Sequence, residues 1–179
     1  MNNKIAVIYK SKYGSTRKYA QWIAEEVKGD LFNYSEINIE KLREYDTVVY
    51  GGGLYASGIS GIEIINKNMN ILKNKKIIVY TVGLASTDKK EKFIPIIEKN
   101  FSQSMINSIK FFHLRGAIDY KRLSLVHRSM MAMLKKVISK KNKNELTEED
   151  KEFLTTYGEK VDFTDKSTVM LLVDHVINN

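Results

Sequence analysis

The chain has 179 residues, enough for one folded domain with a full hydrophobic core. Its apolar content of 43% is ordinary for a globular protein and argues against disorder. The absence of cysteine excludes disulfide scaffolds, thiolate metal sites and thiol catalysis. The sequence predicts neither a signal peptide nor a run of roughly 20 apolar residues that could span a membrane, so we expect a cytoplasmic protein.

The net charge of +8 is concentrated in one segment, residues 121–143, which we call the basic segment. It contains eight basic residues and no acidic one, while the other 21 basic residues balance the 21 acidic residues of the chain. The basic residues are Lys121, Arg122, Arg128, Lys135, Lys136, Lys140, Lys141 and Lys143. Any anionic partner is therefore expected to meet this segment first.

The chain begins with a short apolar run from Lys4 to Tyr9, which is typical of a buried parallel strand. A hydroxyl-rich turn follows, and helical spacing begins directly after it. Such a turn directs backbone N–H groups and the positive end of a helix dipole to one point, which suits a phosphate. A simple helix cap explains the same residues equally well. The residues of this turn, the phosphate loop, are Ser11, Lys12, Tyr13, Gly14, Ser15 and Thr16.

The phosphate loop lacks the glycine spacing of nucleoside triphosphate sites and of dinucleotide sites. It also lacks a lysine clamp of the kind that holds a triphosphate. A donor-rich turn of this type suits a single terminal phosphate, and a mononucleotide cofactor such as FMN fits that description.

Strand and helix patterns alternate along the rest of the chain. We predict further strands at residues 30–35, 46–50, 76–82 and 108–116, a short helical turn at residues 39–45, and helices around residues 62–72, 93–101 and 169–176. Pro95 falls in the first turns of its helix, where proline is tolerated. This alternation predicts an α/β fold with a five-stranded parallel sheet in the order 2-1-3-4-5 and helices on both faces.

Two glycine-containing loops are expected at the same sheet edge as the phosphate loop, because the carboxyl ends of parallel strands lie together. Residues 51–61 follow the third predicted strand. Tyr55 can stack there on a flat ring, or the loop can be only a flexible connection. Residues 83–87 follow the fourth predicted strand and can border the edge of a ring, or Ser86 or Thr87 can simply cap the next helix. The candidate cofactor residues here are Gly52, Gly53, Leu54, Tyr55, Ala56, Ser57, Gly83, Leu84, Ala85, Ser86 and Thr87.

Three stretches carry a resemblance to a known family. They are the phosphate loop, the stretch Leu114-Arg115-Gly116-Ala117-Ile118-Asp119-Tyr120, and Val161-Asp162-Phe163-Thr164-Asp165 before the last helix. The chain resembles the flavodoxin superfamily, whose fold is a three-layer sandwich, and within it the menaquinone-dependent protoporphyrinogen dehydrogenases. Tyr13 stands where the superfamily usually has Thr or Asp. The resemblance implies FMN as cofactor, oxidation of protoporphyrinogen IX, and menaquinone, a membrane quinone, as electron acceptor.

Residues 119–160 are predicted to form a basic, amphipathic insertion after the fifth strand of a single domain that spans residues 1–179. Leu123, Val126, Met130, Met133, Leu134, Val137 and Ile138 recur at helical spacing. Such a helix is typical of proteins that bind a membrane surface or a partner. The alternative is an ordinary helix that packs on the domain and exposes its basic face to solvent. We expect peripheral association with the inner face of the cell membrane. The candidate contacts to substrate or membrane are Arg115, Arg122, Arg128, Lys135 and Lys136.

The sequence does not favour nucleic-acid binding, metal binding or acid–base catalysis by a side chain. Nucleic acid is not expected as a partner, because the basic segment has no aromatic residue to stack on bases apart from Tyr120 at its edge. His113, His127 and His175 lack metal-ligand spacing, so no metal site is predicted, and a lone helical histidine such as His127 is usually a surface residue. No side chain is a compelling catalytic acid or base. The alternatives to the enzyme are a flavodoxin-type electron carrier and a membrane-associated module without flavin.

Overall fold

A computed structural model describes residues 3–178. Five parallel strands form one sheet in the order β2-β1-β3-β5-β6, which confirms the predicted order of the five strands. A short strand, β4 (Gly58–Ile59), pairs antiparallel with β3 at the sheet's carboxyl edge. With strands numbered in chain order, the parallel strands are β1 (Ile5–Lys10), β2 (Asp30–Asn33), β3 (Thr47–Tyr55), β5 (Lys76–Gly83) and β6 (Ile109–Arg115).

Helices cover both faces of the sheet, which confirms the predicted three-layer α/β sandwich. Alternate residues of each strand point to opposite faces, so Val7 lies in one hydrophobic core and Ile8 in the other. One face packs against α1 (Ser15–Val27) and α8 (Met170–Asn178). The other face packs against α2 (Glu63–Asn66), α3 (Met69–Leu72), α4 (Ile94–Asn100) and α5 (Gln103–Ile106).

The prediction that a glycine-rich loop begins at residue 51 is wrong, because β3 continues through the glycines to Tyr55. The glycines serve close packing within the sheet. A Cβ atom on Gly51 would lie 2.0 Å from Cζ of the buried Tyr80, and one on Gly52 would lie 2.6 Å from Cγ2 of Ile59. These contacts come from other strands, so the local sequence gives no sign of them.

Tyr55 stands at the tip of a tight hairpin between β3 and β4. The turn residues Ala56 and Ser57 both have positive φ, at 48° and 64°. This is the geometry of a two-residue type I′ turn, which normally selects Asn or Gly. The Lys99 ammonium donates to the Ala56 carbonyl at 3.1 Å, and the Asn100 amide donates to the Ser57 carbonyl at 2.8 Å. Contacts from α4 therefore hold a strained turn beside the sheet's carboxyl edge.

One predicted helix is divided in the structure. The segment 62–72 forms α2 and α3, because the Asn68 side chain donates to the Ile64 carbonyl at 2.8 Å and ends the first helix. The predicted helix at 93–101 is α4, with Pro95 in its first turn as expected, and a 3-10 turn, Lys90–Phe93, precedes it. The predicted turn near residue 39 is a 3-10 helix, Ile39–Glu44, and a further 3-10 turn, Lys166–Val169, precedes α8.

The insertion contains two helices and a small sheet of its own. Its helices are α6 (Leu125–Ile138) and α7 (Glu148–Thr156), and a capping box of Thr147 and Asp150 starts α7. Two strands that were not predicted, β7 (Ala117–Asp119) and β8 (Lys160–Asp162), pair antiparallel across the base of the insertion. A 3-10 turn, Tyr120–Arg122, links β7 to α6. Between the sheet and the helices lies a small hydrophobic cluster built on Ile118, Tyr120 and Leu123.

None of the helices in residues 3–178 is long and apolar enough to cross a lipid bilayer.

Candidate functional site

The phosphate loop leaves several backbone donors free. Helix α1 starts at Ser15, and no side chain caps it, so the helix-cap interpretation of this turn does not hold. Gly14 has a φ of 103°, and its N–H donates to the Ser11 hydroxyl at 3.1 Å. The first N–H groups of the helix, those of Ser15, Thr16 and Arg17, have no acceptor within residues 3–178. Free N–H groups at the positive end of a 13-residue helix form a ready site for a phosphate.

Side-chain hydroxyls extend this donor set toward a cavity. Ser15 is held in place because its hydroxyl oxygen accepts the Ala117 N–H at 2.9 Å, which leaves its proton free to donate. Thr16 is only 4% exposed and lines the same cavity. Its hydroxyl forms no hydrogen bond within the described chain. Every fully buried side-chain polar atom of the described residues has a partner, so the Thr16 hydroxyl is not fully buried and is open to the cavity. These two hydroxyls thus supply further donors beside the free amides.

The cavity itself, which we call the flavin cavity, lies beyond the carboxyl ends of β1, β3 and β5. Gly53 and Gly83 form its narrow edges, while Leu54 and Leu84 supply apolar walls. The insertion closes it from the other side through His127, Met130 and Met131 of α6 and through Leu123. Its volume is about 150 Å³, smaller than the roughly 300–1,000 Å³ of typical ligand pockets.

An aromatic cluster of Tyr13, Tyr55 and His127 narrows this cavity. The rings of Tyr55 and His127 stack with centroids 4.6 Å apart and planes 19° apart. The Tyr13 ring meets both edge-on, at 6.2 Å from Tyr55 and 5.5 Å from His127. Because these rings come from the phosphate loop, the β3–β4 hairpin and α6, the cluster joins three separate elements at the mouth of the site.

A hydrogen-bond relay fixes the cluster. The Tyr13 oxygen lies 2.7 Å from Nδ1 of His127 and accepts the Ser124 N–H at 3.3 Å. Burial, together with the Lys12 cation, lowers the pKa of His127, so the ring is neutral near pH 7. Burial alone would raise the pKa of Tyr13, but the hydrogen bonds from Ser124 and the Lys12 cation together lower it. For Tyr55, burial and the neighbouring Tyr13 raise the pKa to about 12.

The structure brings most of the predicted cofactor residues to this cavity, but not all of them. Lys12 and Gly14 face a separate polar cleft on the outer side of the phosphate loop. Ala85 lines a second cavity, between α6 and α7. Gly52, Ser57, Ser86 and Thr87 do not line the flavin cavity. The predicted residues that do line it are Ser11, Tyr13, Ser15, Thr16, Gly53, Leu54, Tyr55, Ala56, Gly83 and Leu84.

The predicted basic contacts divide into three groups. The Arg115 guanidinium is engaged within the protein, bound to the Leu84 carbonyl at 3.2 Å and to Glu152 at 2.5 Å. Arg122 faces the polar cleft beside Lys12. The remaining three, Arg128, Lys135 and Lys136, are exposed on α6, and the Lys135 ammonium lies 4.3 Å from the centre of the Tyr157 ring.

Sequence reasoning missed several residues of the site. His127, expected on the surface, stacks on Tyr55 inside it, and Met131 and Leu123 complete the wall that faces the sheet. Of these three, only Leu123 belongs to the apolar periodicity of the basic segment, so the local sequence gave no sign of His127 or Met131. The His127–Tyr13 contact joins residues that are 114 positions apart, so it depends on how the insertion folds back on the domain.

A phosphate loop with free helical amides, next to an apolar slot with an aromatic ring at the carboxyl edge of a parallel sheet, defines a flavin-mononucleotide protein. The residues fit the group at both ends, since the donors suit a terminal phosphate and Gly53, Gly83 and Tyr55 suit a flat ring. The model of the flavodoxin domain family matches residues 6–146, so the chain belongs to this family. Its cofactor is FMN.

Individual relatives are distant. The chain is 32% identical to an uncharacterized protein of Methanocaldococcus jannaschii over 53 residues, which cover 29% of this chain and 35% of that protein. Among solved structures, Trp repressor binding protein from Bacillus subtilis aligns with a TM-score of 0.46 and 20% identity, over 63% of this chain and 83% of that one. Megasphaera elsdenii flavodoxin aligns with a TM-score of 0.43 and 14% identity, over 61% and 84%.

Proposed function

We propose that this protein is an FMN-dependent oxidoreductase that oxidises protoporphyrinogen IX, or a related reduced substrate, and passes the electrons to a membrane quinone. The observation that carries the proposal is the position of α6. The same helix that carries three of the eight basic residues of the basic segment also lines the flavin cavity, through His127, Met130 and Met131. A partner that docks on α6 is thereby separated from the cofactor site by this one helix.

The outer surface of α6 supports a membrane-bound partner. Much of the predicted apolar stripe faces away from the protein, with Val126 and Met133 each 68% exposed and Val137 57% exposed. Of the eight basic residues in the basic segment, only Lys141 forms an ion pair within residues 3–178, with Asp150 at 2.8 Å. Free cations beside exposed apolar side chains favour an anionic bilayer, where each cation contributes about 1 kcal/mol.

The protein's own residues position and shield the reaction. FMN, when bound, supplies the redox chemistry. The free amides and hydroxyls of the phosphate loop hold its phosphate, and the Leu54 and Leu84 side chains border the ring. The neutral His127 and the Tyr13 hydroxyl anchor α6 over the site, which limits the access of water.

The enzymatic part is tested by following protoporphyrinogen oxidation with a menaquinone analogue as acceptor, using the FMN-loaded protein. We expect turnover that requires both FMN and quinone. An FMN-loaded protein that does not oxidise the porphyrinogen, yet exchanges electrons with another redox protein, would identify an electron carrier instead.

The membrane part is tested by sedimentation with anionic liposomes. We expect Met133→Glu to reduce binding, because it adds a negative charge to the exposed apolar surface of α6. Leu171→Glu is the matched control, since Leu171 is 75% exposed on α8, on the main sandwich rather than the insertion. Binding that both variants weaken equally, or that is insensitive to salt, would contradict docking through α6.

A further inference from the structure

A second cavity lies between α6 and α7, directly beside the flavin cavity. The two cavities share five lining residues, Leu54, Gly83, Leu84, Ile118 and Met131, so they are separated by side chains alone. The second cavity, which we call the α6–α7 cavity, has a volume of about 390 Å³. That volume falls within the roughly 300–1,000 Å³ typical of small-molecule sites.

The apolar walls of the α6–α7 cavity come from both helices. Leu134 and Ile138 of α6 face Phe153 of α7 across it, with Phe163 at its base. Aliphatic and aromatic side chains in this arrangement suit a flat ring with apolar substituents.

The charges that line the α6–α7 cavity cancel. Its three carboxylates each have a cationic partner: Glu149 pairs with Lys92, Asp150 with Lys141 at 2.8 Å, and Glu152 with Arg115 at 2.5 Å. Arg115 is the only cation that lines the cavity within residues 3–178, and its guanidinium is already bound to Glu152 and the Leu84 carbonyl. An anionic ligand would therefore be repelled by three carboxylates and would find no free cation to compensate its charge. An uncharged ligand does not meet this repulsion.

One polar group in the α6–α7 cavity is left to recognise a ligand. Tyr120 lines the cavity, is 9% exposed, and its hydroxyl forms no hydrogen bond within residues 3–178. Burial and the neighbouring Tyr157 raise the pKa of Tyr120 to about 12, so the hydroxyl keeps its proton and can donate it to an oxygen acceptor. A single donor in an apolar slot suits a carbonyl oxygen.

We propose that the α6–α7 cavity is a second ligand site, which binds an uncharged, flat aromatic molecule carrying a carbonyl oxygen, with Tyr120 as the hydrogen-bond donor. Quinones belong to this chemical class. The identification of this ligand as the electron acceptor rests on the proposed function, whereas the binding itself does not.

The test measures binding of 1,4-naphthoquinone to the FMN-loaded protein by calorimetry, with naphthalene and a sulfonated naphthoquinone as comparison ligands. We expect the neutral quinone to bind more tightly than either, because naphthalene lacks the carbonyl and the sulfonate adds a negative charge. Methyl-labelled methionine locates the site, since the resonance of Met131 should shift while that of Met130, which lines only the flavin cavity, should not. Equal affinity for the sulfonated quinone would overturn the charge argument.

Two matched pairs of variants sharpen this test. Leu134→Glu should abolish quinone binding, whereas Met133→Glu, on the exposed surface of the same helix, should leave it unchanged. Tyr120→Phe should weaken quinone binding roughly fivefold, the value of one hydrogen bond, and leave naphthalene binding unaffected. Tyr157→Phe, which removes a neighbouring hydroxyl outside the cavity, is the control.

The outcomes separate the site from the proposed function. Quinone binding with the expected pattern of variants, together with no porphyrinogen oxidation, would retain the cavity and reject the enzyme. Porphyrinogen oxidation in which Leu134→Glu leaves the KM for quinone unchanged would retain the enzyme and overturn this assignment.

Discussion

Removing the Tyr13 hydroxyl should loosen α6 without weakening the sheet. In Tyr13→Phe, Nδ1 of His127 loses its hydrogen-bond partner at 2.7 Å and the Ser124 N–H loses its acceptor at 3.3 Å. Each neutral hydrogen bond contributes about 1 kcal/mol, and water can replace part of it because both partners are partly exposed. We therefore expect local opening of α6 to become easier by about 1 kcal/mol, which corresponds to roughly fivefold faster amide hydrogen exchange.

Hydrogen exchange resolved by segment measures this effect directly. Exchange across α6 should accelerate, while exchange in the centre of β3 should keep its wild-type rate. Tyr157→Phe is the matched control, because Tyr157 packs against the same small cluster but its hydroxyl has no hydrogen-bond partner within residues 3–178. Unchanged exchange of α6 in Tyr13→Phe, or equal acceleration in both variants, would refute the anchoring role of Tyr13.

Three further predictions concern stability. Gly51→Ala places a Cβ atom 2.0 Å from Cζ of the fully buried Tyr80, so we expect a loss of about 3 kcal/mol and a Tm lower by roughly 6–12 °C in thermal unfolding. Ser57→Gly relieves a φ of 64° and should stabilise the protein by about 1 kcal/mol. Burial lowers the pKa of His113 from 6.5 to about 4, so the protein should lose stability as the pH falls through this range, by about 2 kcal/mol after allowance for partial exposure.

Each of these predictions has a control or a contradicting outcome. Gly158→Ala should cost less stability than Gly51→Ala, because its φ of 96° adds backbone strain but no atom lies within 4 Å of the new Cβ. Denaturant titrations of His113→Phe should lack the extra loss of stability at low pH, because the new ring keeps the stack on Phe93 and does not titrate. A Ser57→Gly protein less stable than wild type would show that the hairpin turn is unstrained.

The sheet order was predictable because the strands are short and separated by helical spacing, and because β1, β3 and β5 are rich in β-branched residues. The course of β3 beyond Tyr50 was not, since glycines usually end strands. Here the strand requires glycine at positions 51 and 52, because Tyr80 and Ile59 fill the space where larger side chains would lie. The small sheet of β7 and β8 was also missed, because its short strands lie on either side of the two insertion helices.

The phosphate end of the site was predictable, because one continuous stretch of chain supplies the loop and the helix start. The ring end was only partly predictable. Gly53, Tyr55 and Gly83 follow from the parallel sheet, which brings its carboxyl edges together. His127 does not, because the fold of the insertion and the relay through Tyr13 decide where it points.

The most direct test of the central claim compares the affinities of FMN and riboflavin, which differ in the phosphate. We predict that the wild-type protein binds FMN more tightly than riboflavin by more than about tenfold, since the free amides of Ser15, Thr16 and Arg17 act on the phosphate. Thr16→Asp should remove this preference and leave riboflavin binding unchanged, whereas Thr155→Asp, an exposed control on α7, should retain it. Equal affinities for FMN and riboflavin in the wild-type protein would contradict the account.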